Sequence, residues 1–267
     1  MGNTSSVQEL TGVDPIRPHR PPISSQSGAQ ALSRAEHIDG YRKRVFLSRL
    51  NYRARAGQIY TPAVYPVQKE IPNPDSTEPW PSGQVVWMNS TADGGLPHTR
   101  PPYYICMPET FPTASLETTM RHERIHIHQR MYPEEWVIFI ESAWPFKVWK
   151  NAELPHSLLE QERLNPDLLW SPRFIWKENY VPIAVFNSLI KPKLNDVNIC
   201  WYTPSHGIIV KDQTQIPEWS DFFGSQVRDA EHPYEIAAYL LSDKNISCPA
   251  KSALLQHIEI LSKKDRF

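Results

Sequence analysis

No stretch of this chain approaches the roughly 18 consecutive apolar residues that a bilayer-spanning helix needs, and the polar N-terminus has no hydrophobic region of a secretory signal. Neither a transmembrane helix nor a signal peptide is expected. Cysteine is scarce as well. Cys106, Cys200 and Cys248 are odd in number, widely spaced and without a C-x-x-C pair, which argues against a disulfide framework and for a reducing, intracellular setting. Net charge is nearly absent, at -1 over 267 residues, so the chain lacks the basic excess that marks nucleic-acid binding, and no nucleic-acid partner is expected.

What the chain has in quantity is proline, 26 residues, and apolar content, 40%. The Ser- and Pro-rich residues 1–27 hold too little apolar surface to offset the entropy of ordering, and read as a flexible arm. Residues 28–267 are expected to form one domain around one core. Within it, residues 28–55 form helix readily, and prolines punctuate 61–82 as an extended crossing. Strands are expected at 84–89 and 103–107, a helix at 114–131 with Thr113 as N-cap, and a second from 134 to 150 interrupted at Pro145. Further on come a short helix near 156–162, a hairpin through NICWYTPSHGIIV, and helices at 233–242 and 250–263. The fold class is α+β, a small mixed sheet packed on one helix with a helical C-terminal part.

That one helix carries TTMRHERIHIHQR, residues 118–130. At 100° per residue, His122 and His126 lie about 40° apart, one turn above the other, so both imidazoles reach a single ion. Glu123 projects beside that ion, where a base acting on water belongs. His128 points about 120° away from His122 and reads as a surface residue; Gln129 returns to within about 20° of His122, as a ligand-orienting partner or a surface amide. A catalytic zinc site needs a third protein ligand. The compact continuation fails, because Gln129 and Tyr132 stand where a glycine and a third histidine would be. Glu141 is the nearest downstream candidate. Glu235 is the better one, since in EHPYEIAAYLLSD the small Ala237 and Ala238 allow close packing of its helix on the first.

TTMRHERIHIHQR paired with HPYEIAAYL resembles the zincin metallopeptidases, and among them the gluzincin type with two helix histidines and a glutamate from a later helix. GGLPHTR followed by YYICMPE supplies an edge strand before the helix. The resemblance implies a zincin-like fold, one Zn2+ held by His122, His126 and Glu235, Glu123 as general base, and a protein or peptide as substrate. Tyr234, His232, Tyr239 and Arg228 are the options for stabilising the transition state.

Met1-Gly2-Asn3-Thr4-Ser5-Ser6 fits the pattern for myristoylation of Gly2. One acyl chain holds a membrane only marginally. Residues 1–60 add nine cations against four acids, a local charge of +5, as a second signal toward a membrane surface. The expected location is cytoplasmic or peripheral at a membrane. A cytosolic, myristoylated zincin resembles metallopeptidase-like proteins of large DNA viruses, and that resemblance implies a place in the virion. The competing expectation is a non-catalytic myristoylated membrane or virion adaptor that keeps a zincin scaffold.

Overall fold

Glycine and serine break the first helical stretch, which forms three helices rather than one. In the computed structural model, which describes residues 27–63, 68–69, 80–150, 153–224, 227 and 231–262, α1 spans Gly28–Asp39, α2 Tyr41–Leu47 and α3 Arg49–Ala54. Ser27 and Gln30 cap α1 reciprocally, side chain to backbone. Gly40, at φ 57° and ψ 26°, ends it in the left-handed region that glycine enters without steric cost. Ser48, extended at ψ 110°, separates α2 from α3. Ser27, expected as the end of the arm, belongs to the cap of α1; residues 1–26 of the arm, with Gly2, and Arg228 lie outside the described residues.

The first sheet has four strands in the order β1, β2, β4, β3 (Gln68–Lys69, Gln84–Met88, Tyr104–Pro108, His98–Arg100). β2 and β4 run parallel while the outer strands are antiparallel to their neighbours, so the sheet is mixed, as expected. Alternation along the strands divides its faces. Val86, Met88, Tyr104 and Cys106 receive Ala31 and Ala35 of α1. Val85, Ile105 and Met107 receive Ile127 of α4, the helix Thr113–Met131. Pro112, not Thr113, is the N-cap, and no side chain caps that end.

The expected second helix stops at Ala143 (α5, Pro133–Ala143), and Phe146–Val148 is β5, paired antiparallel with β6, Phe174–Trp176. Pro145 prevents the helix from continuing, and Phe146, Val148 and Trp149 that follow are residue types that suit a strand. After α6 (His156–Gln161) comes a three-stranded antiparallel sheet of β7 (Val181–Phe186), β8 (Val197–Thr203) and β9 (Ile208–Val210); β8 and β9 form the expected hairpin. Three helices finish the fold: α7 (Trp219–Phe223), α8 (Pro233–Ser242) and α9 (Pro249–Ser262). The architecture is α+β with several small sheets.

The largest core cluster is aromatic. Trp136, Phe146, Trp176, Trp201, Trp219 and Phe223 pack there against Ala237, Ala238 and Leu240 of α8. Cys106, Cys200 and Cys248 are free, buried, and each sits in a different apolar cluster. No helix among the described residues is long and apolar enough to cross a membrane.

Candidate metal centre

α4 and α8 pack against each other, and Ala237 and Ala238 of α8 are fully buried in the aromatic core. His232 starts α8 as its N-cap: its Nδ1 accepts from the Tyr234 N–H at 3.1 Å, and its Nε2 donates to the Pro172 carbonyl at 2.9 Å. Pro233 occupies the first helical turn, where its missing N–H costs nothing. Glu235 therefore emerges at a helix N-terminus, whose dipole favours a carboxylate.

From that position Glu235 Oε2 lies 3.3 Å from His122 Nε2 and 3.2 Å from His126 Nε2, and the two nitrogens are 3.0 Å apart. Tetrahedral zinc, with its ligands about 2.1 Å away, separates them by about 3.4 Å. The observed triangle is close to one face of that tetrahedron, and the donor set, two imidazoles and a carboxylate, is one that zinc takes. His126 and Glu235 are buried, while the His122 side chain keeps 21% exposure.

For His126 and Glu235 the atoms turned away from the triangle are fixed by hydrogen bonds. Gln129 Nε2 donates to the Tyr234 carbonyl at 2.9 Å, which leaves its Oε1 facing His126 Nδ1 at 2.8 Å. A carbonyl only accepts, so Nδ1 carries a proton and Nε2 is the nitrogen left to serve as a metal ligand. Gln129 is thus an orienting partner, and of His126, not His122. The second Glu235 oxygen, Oε1, accepts from Asn165 Nδ2 at 2.8 Å. Asn165 also donates to Glu231 Oε1 at 2.7 Å, and Arg163 holds both Glu231 oxygens at 2.7 and 2.8 Å.

Asn165 is held in turn by the first helices. Asn51 of α3 donates to the Glu162 carbonyl and accepts from the Leu164 N–H, each at 2.8 Å. Arg55 reaches the Leu164 carbonyl at 3.0 Å while its Nε pairs with Asp93 at 2.6 Å. The residues just before Asn165 are thereby clamped to the N-terminal part of the domain.

Charge in the centre is strongly coupled. Burial opposes the ionised Glu235, yet the imidazoles of His126 and His122 hold its carboxyl well below the usual range. Burial also opposes a charged His126, but the carboxylates of Glu235, Asp167 and Glu123 push it up to about 10. Glu123, 3% exposed, goes the other way: burial first, and then the Asp167 carboxylate, raise it well above an ordinary glutamate. Its Oε2 is buried without a hydrogen-bond partner.

His128 is buried, not on the surface. Its Nδ1 accepts from Trp136 Nε1 at 3.0 Å, Trp80 meets its ring edge-on, and burial pulls its pKa down to about 3. The direction read from the sequence, away from His122, leads into aromatic packing because α5 folds back against α4. Glu141 takes no part in the centre; its Oε1 accepts the Val148 N–H at 2.8 Å. Tyr234 donates its hydroxyl to the Pro133 carbonyl at 3.4 Å and is buried between Trp136 and Phe174, so with His232 engaged at both nitrogens, Tyr239 is the partly exposed one of these three. β3 forms the sheet edge before α4, and there the Thr99 N–H already donates to Asp167 at 2.7 Å.

Asn165 and Asp167 escape the sequence reading because the Asn-Pro-Asp run reads only as a turn, and Arg163 and Glu231 carry no local motif. Comparison with known proteins finds no family model, no curated protein and no solved structure that matches this chain.

Proposed function

We propose that the chain is a zinc-dependent peptidase with a zincin-like fold, in which His122, His126 and Glu235 hold one ion and Glu123 is the general base. The observation that carries this reading is the triangle of three donor atoms, with edges of 3.0, 3.2 and 3.3 Å, assembled from two helices that the chain brings together over a long separation. Zinc bound there supplies Lewis acidity, lowering the pKa of water at its open position toward about 7 and polarising a substrate carbonyl.

The chain's own residues do the rest. Gln129 and Asn165 keep the lone pairs of His126 and Glu235 aimed inward. Glu123 follows His122 directly, so it stands beside the centre and not in it. Its unpartnered Oε2, in surroundings that raise its affinity for protons, takes a proton from the attacking water and passes it to the leaving amine. His122, the exposed member of the triangle, marks the side from which a peptide arrives.

The test is metal analysis of the purified chain together with cleavage of casein or a peptide library, for the parent and for Glu123→Gln. The expected result is one zinc per chain in both, with cleavage reduced about 10²- to 10⁴-fold in the variant. A natively folded chain that takes up no zinc would sink the proposal.

A further inference from the structure

The second feature that calls for a partner is on the outer side of α2 and α3. Phe46, Leu47 and Ile190 are 71%, 73% and 76% exposed, and Tyr52 and Leu189 are about half exposed. These side chains form one patch. The Phe46 and Tyr52 rings meet edge to face at 5.7 Å, and Arg53, next to Tyr52, donates to the carbonyls of Leu189 and Ile190. Beneath the patch, Leu50 and Ala54 pack on Phe186 and Leu194, so α3 and the connection between β7 and β8 are mounted on a common base.

The charge around it is predominantly positive. Lys43, Arg49, Arg53, Lys191 and Lys193 are exposed on segments 41–53 and 187–196, where Asp196 is the single acid and accepts from Asn187 at 2.6 Å. In a chain of net charge -1 that is a strong local asymmetry. Phe46–Leu47 closes α2 at the break before α3, and Leu189–Ile190 lies in the connection between the antiparallel strands β7 and β8. Protruding apolar tips ringed by Lys and Arg match a bilayer surface, where the tips enter the headgroup layer and the cations meet anionic lipid.

We propose that this face docks the protein on an anionic membrane, independently of any acylation at Gly2 and of the metal reading. The opposite side of α3 carries Asn51, which holds the segment leading to Asn165, so docking here fixes how the metal centre is presented to the bilayer.

The experiment uses the full chain carrying Gly2→Ala, so that an acyl chain contributes nothing, in sedimentation with vesicles of phosphatidylcholine alone or with phosphatidylserine added. The expected result is binding to the anionic vesicles only, weakened roughly tenfold when salt rises from about 0.1 M to about 0.5 M. Phe46→Glu with Ile190→Glu, and separately Lys191→Glu with Lys193→Glu, lower that binding at least about tenfold while melting temperature and zinc content stay as in the parent. Absence of binding to anionic vesicles, equal binding to neutral ones, or variants that bind like the parent would overturn the proposal. So would concentration-dependent dimerisation abolished by Phe46→Glu with Ile190→Glu, which would assign the face to a second copy of the chain. None of these outcomes bears on zinc or cleavage.

Discussion

Gln129 Nε2 donates to the backbone carbonyl of Tyr234 across 2.9 Å, although 105 positions separate the two residues in the chain. That single bond ties α4 to α8 one residue before Glu235 and, through the other end of the same amide, sets the tautomer of His126.

Gln129→Leu is accordingly expected to lower zinc affinity by about 10- to 100-fold, by releasing the His126 ring and freeing the helix crossing. Competition with a chelator of known affinity measures it. Affinity equal to the parent's would show that the ring is oriented by packing alone.

Asn165→Ala removes the donor shared by Glu231 and Glu235. Two buried carboxylates lose a partner, at a cost of about 1–3 kcal/mol in urea-induced unfolding. Zinc affinity falls together with stability, whereas Asn51→Ala, one step further back, affects stability more than metal.

The close approach of α4 and α8 depends on small side chains. Ala238 stands one turn along α8 from Glu235 and is fully buried. Ala238→Leu is expected to cost about 1–3 kcal/mol and to displace the carboxylate, so that zinc is lost. Ala35→Leu, equally buried but on the other face of the first sheet, is the control: it costs comparable stability and leaves zinc uptake intact.

His232 carries a pH prediction. Burial pulls its pKa from an ordinary 6.5 down to about 4, against the hydrogen bond to Pro172 that favours the charged ring. The unfolded chain therefore binds the proton more readily than the folded one, and the neutral ring's contribution is present above pH 6.5 and lost as pH falls toward 4. The loss amounts to about 3 kcal/mol. His232→Asn keeps an acceptor for the Tyr234 N–H, so the difference in stability between parent and variant should shrink steadily over that window. A difference independent of pH would mean that His232 does not titrate with unfolding.

Much of the centre was legible before any coordinates, because His122, Glu123 and His126 depend only on helical spacing. Glu235 was legible through its neighbours, as Ala237 and Ala238 announced a close helix contact. What the spacing could not give is where each remaining face of α4 points, since that depends on α5 folding back: hence His128, read as a surface residue, is buried against Trp136 and Trp80. Asn165 escaped for a similar reason. Its role is set by two long-range partners, Glu231 and Glu235, while its local sequence signals only a turn. The single helix expected over 28–55 failed at Gly40 and Ser48, where backbone geometry overrides an otherwise helix-forming composition.

The three unpaired thiols supply a means of watching the domain come apart. Burial raises Cys106 far above an ordinary thiol and Cys200 to about 11, so neither reacts appreciably with an alkylating reagent until its surroundings open. Cys106 reports on α1 leaving the first sheet, Cys200 on the β7–β8 sheet, and Cys248 on the aromatic core beside α8. Their separate labelling rates, with and without zinc, would show whether the ion secures only the α4–α8 crossing or the whole domain.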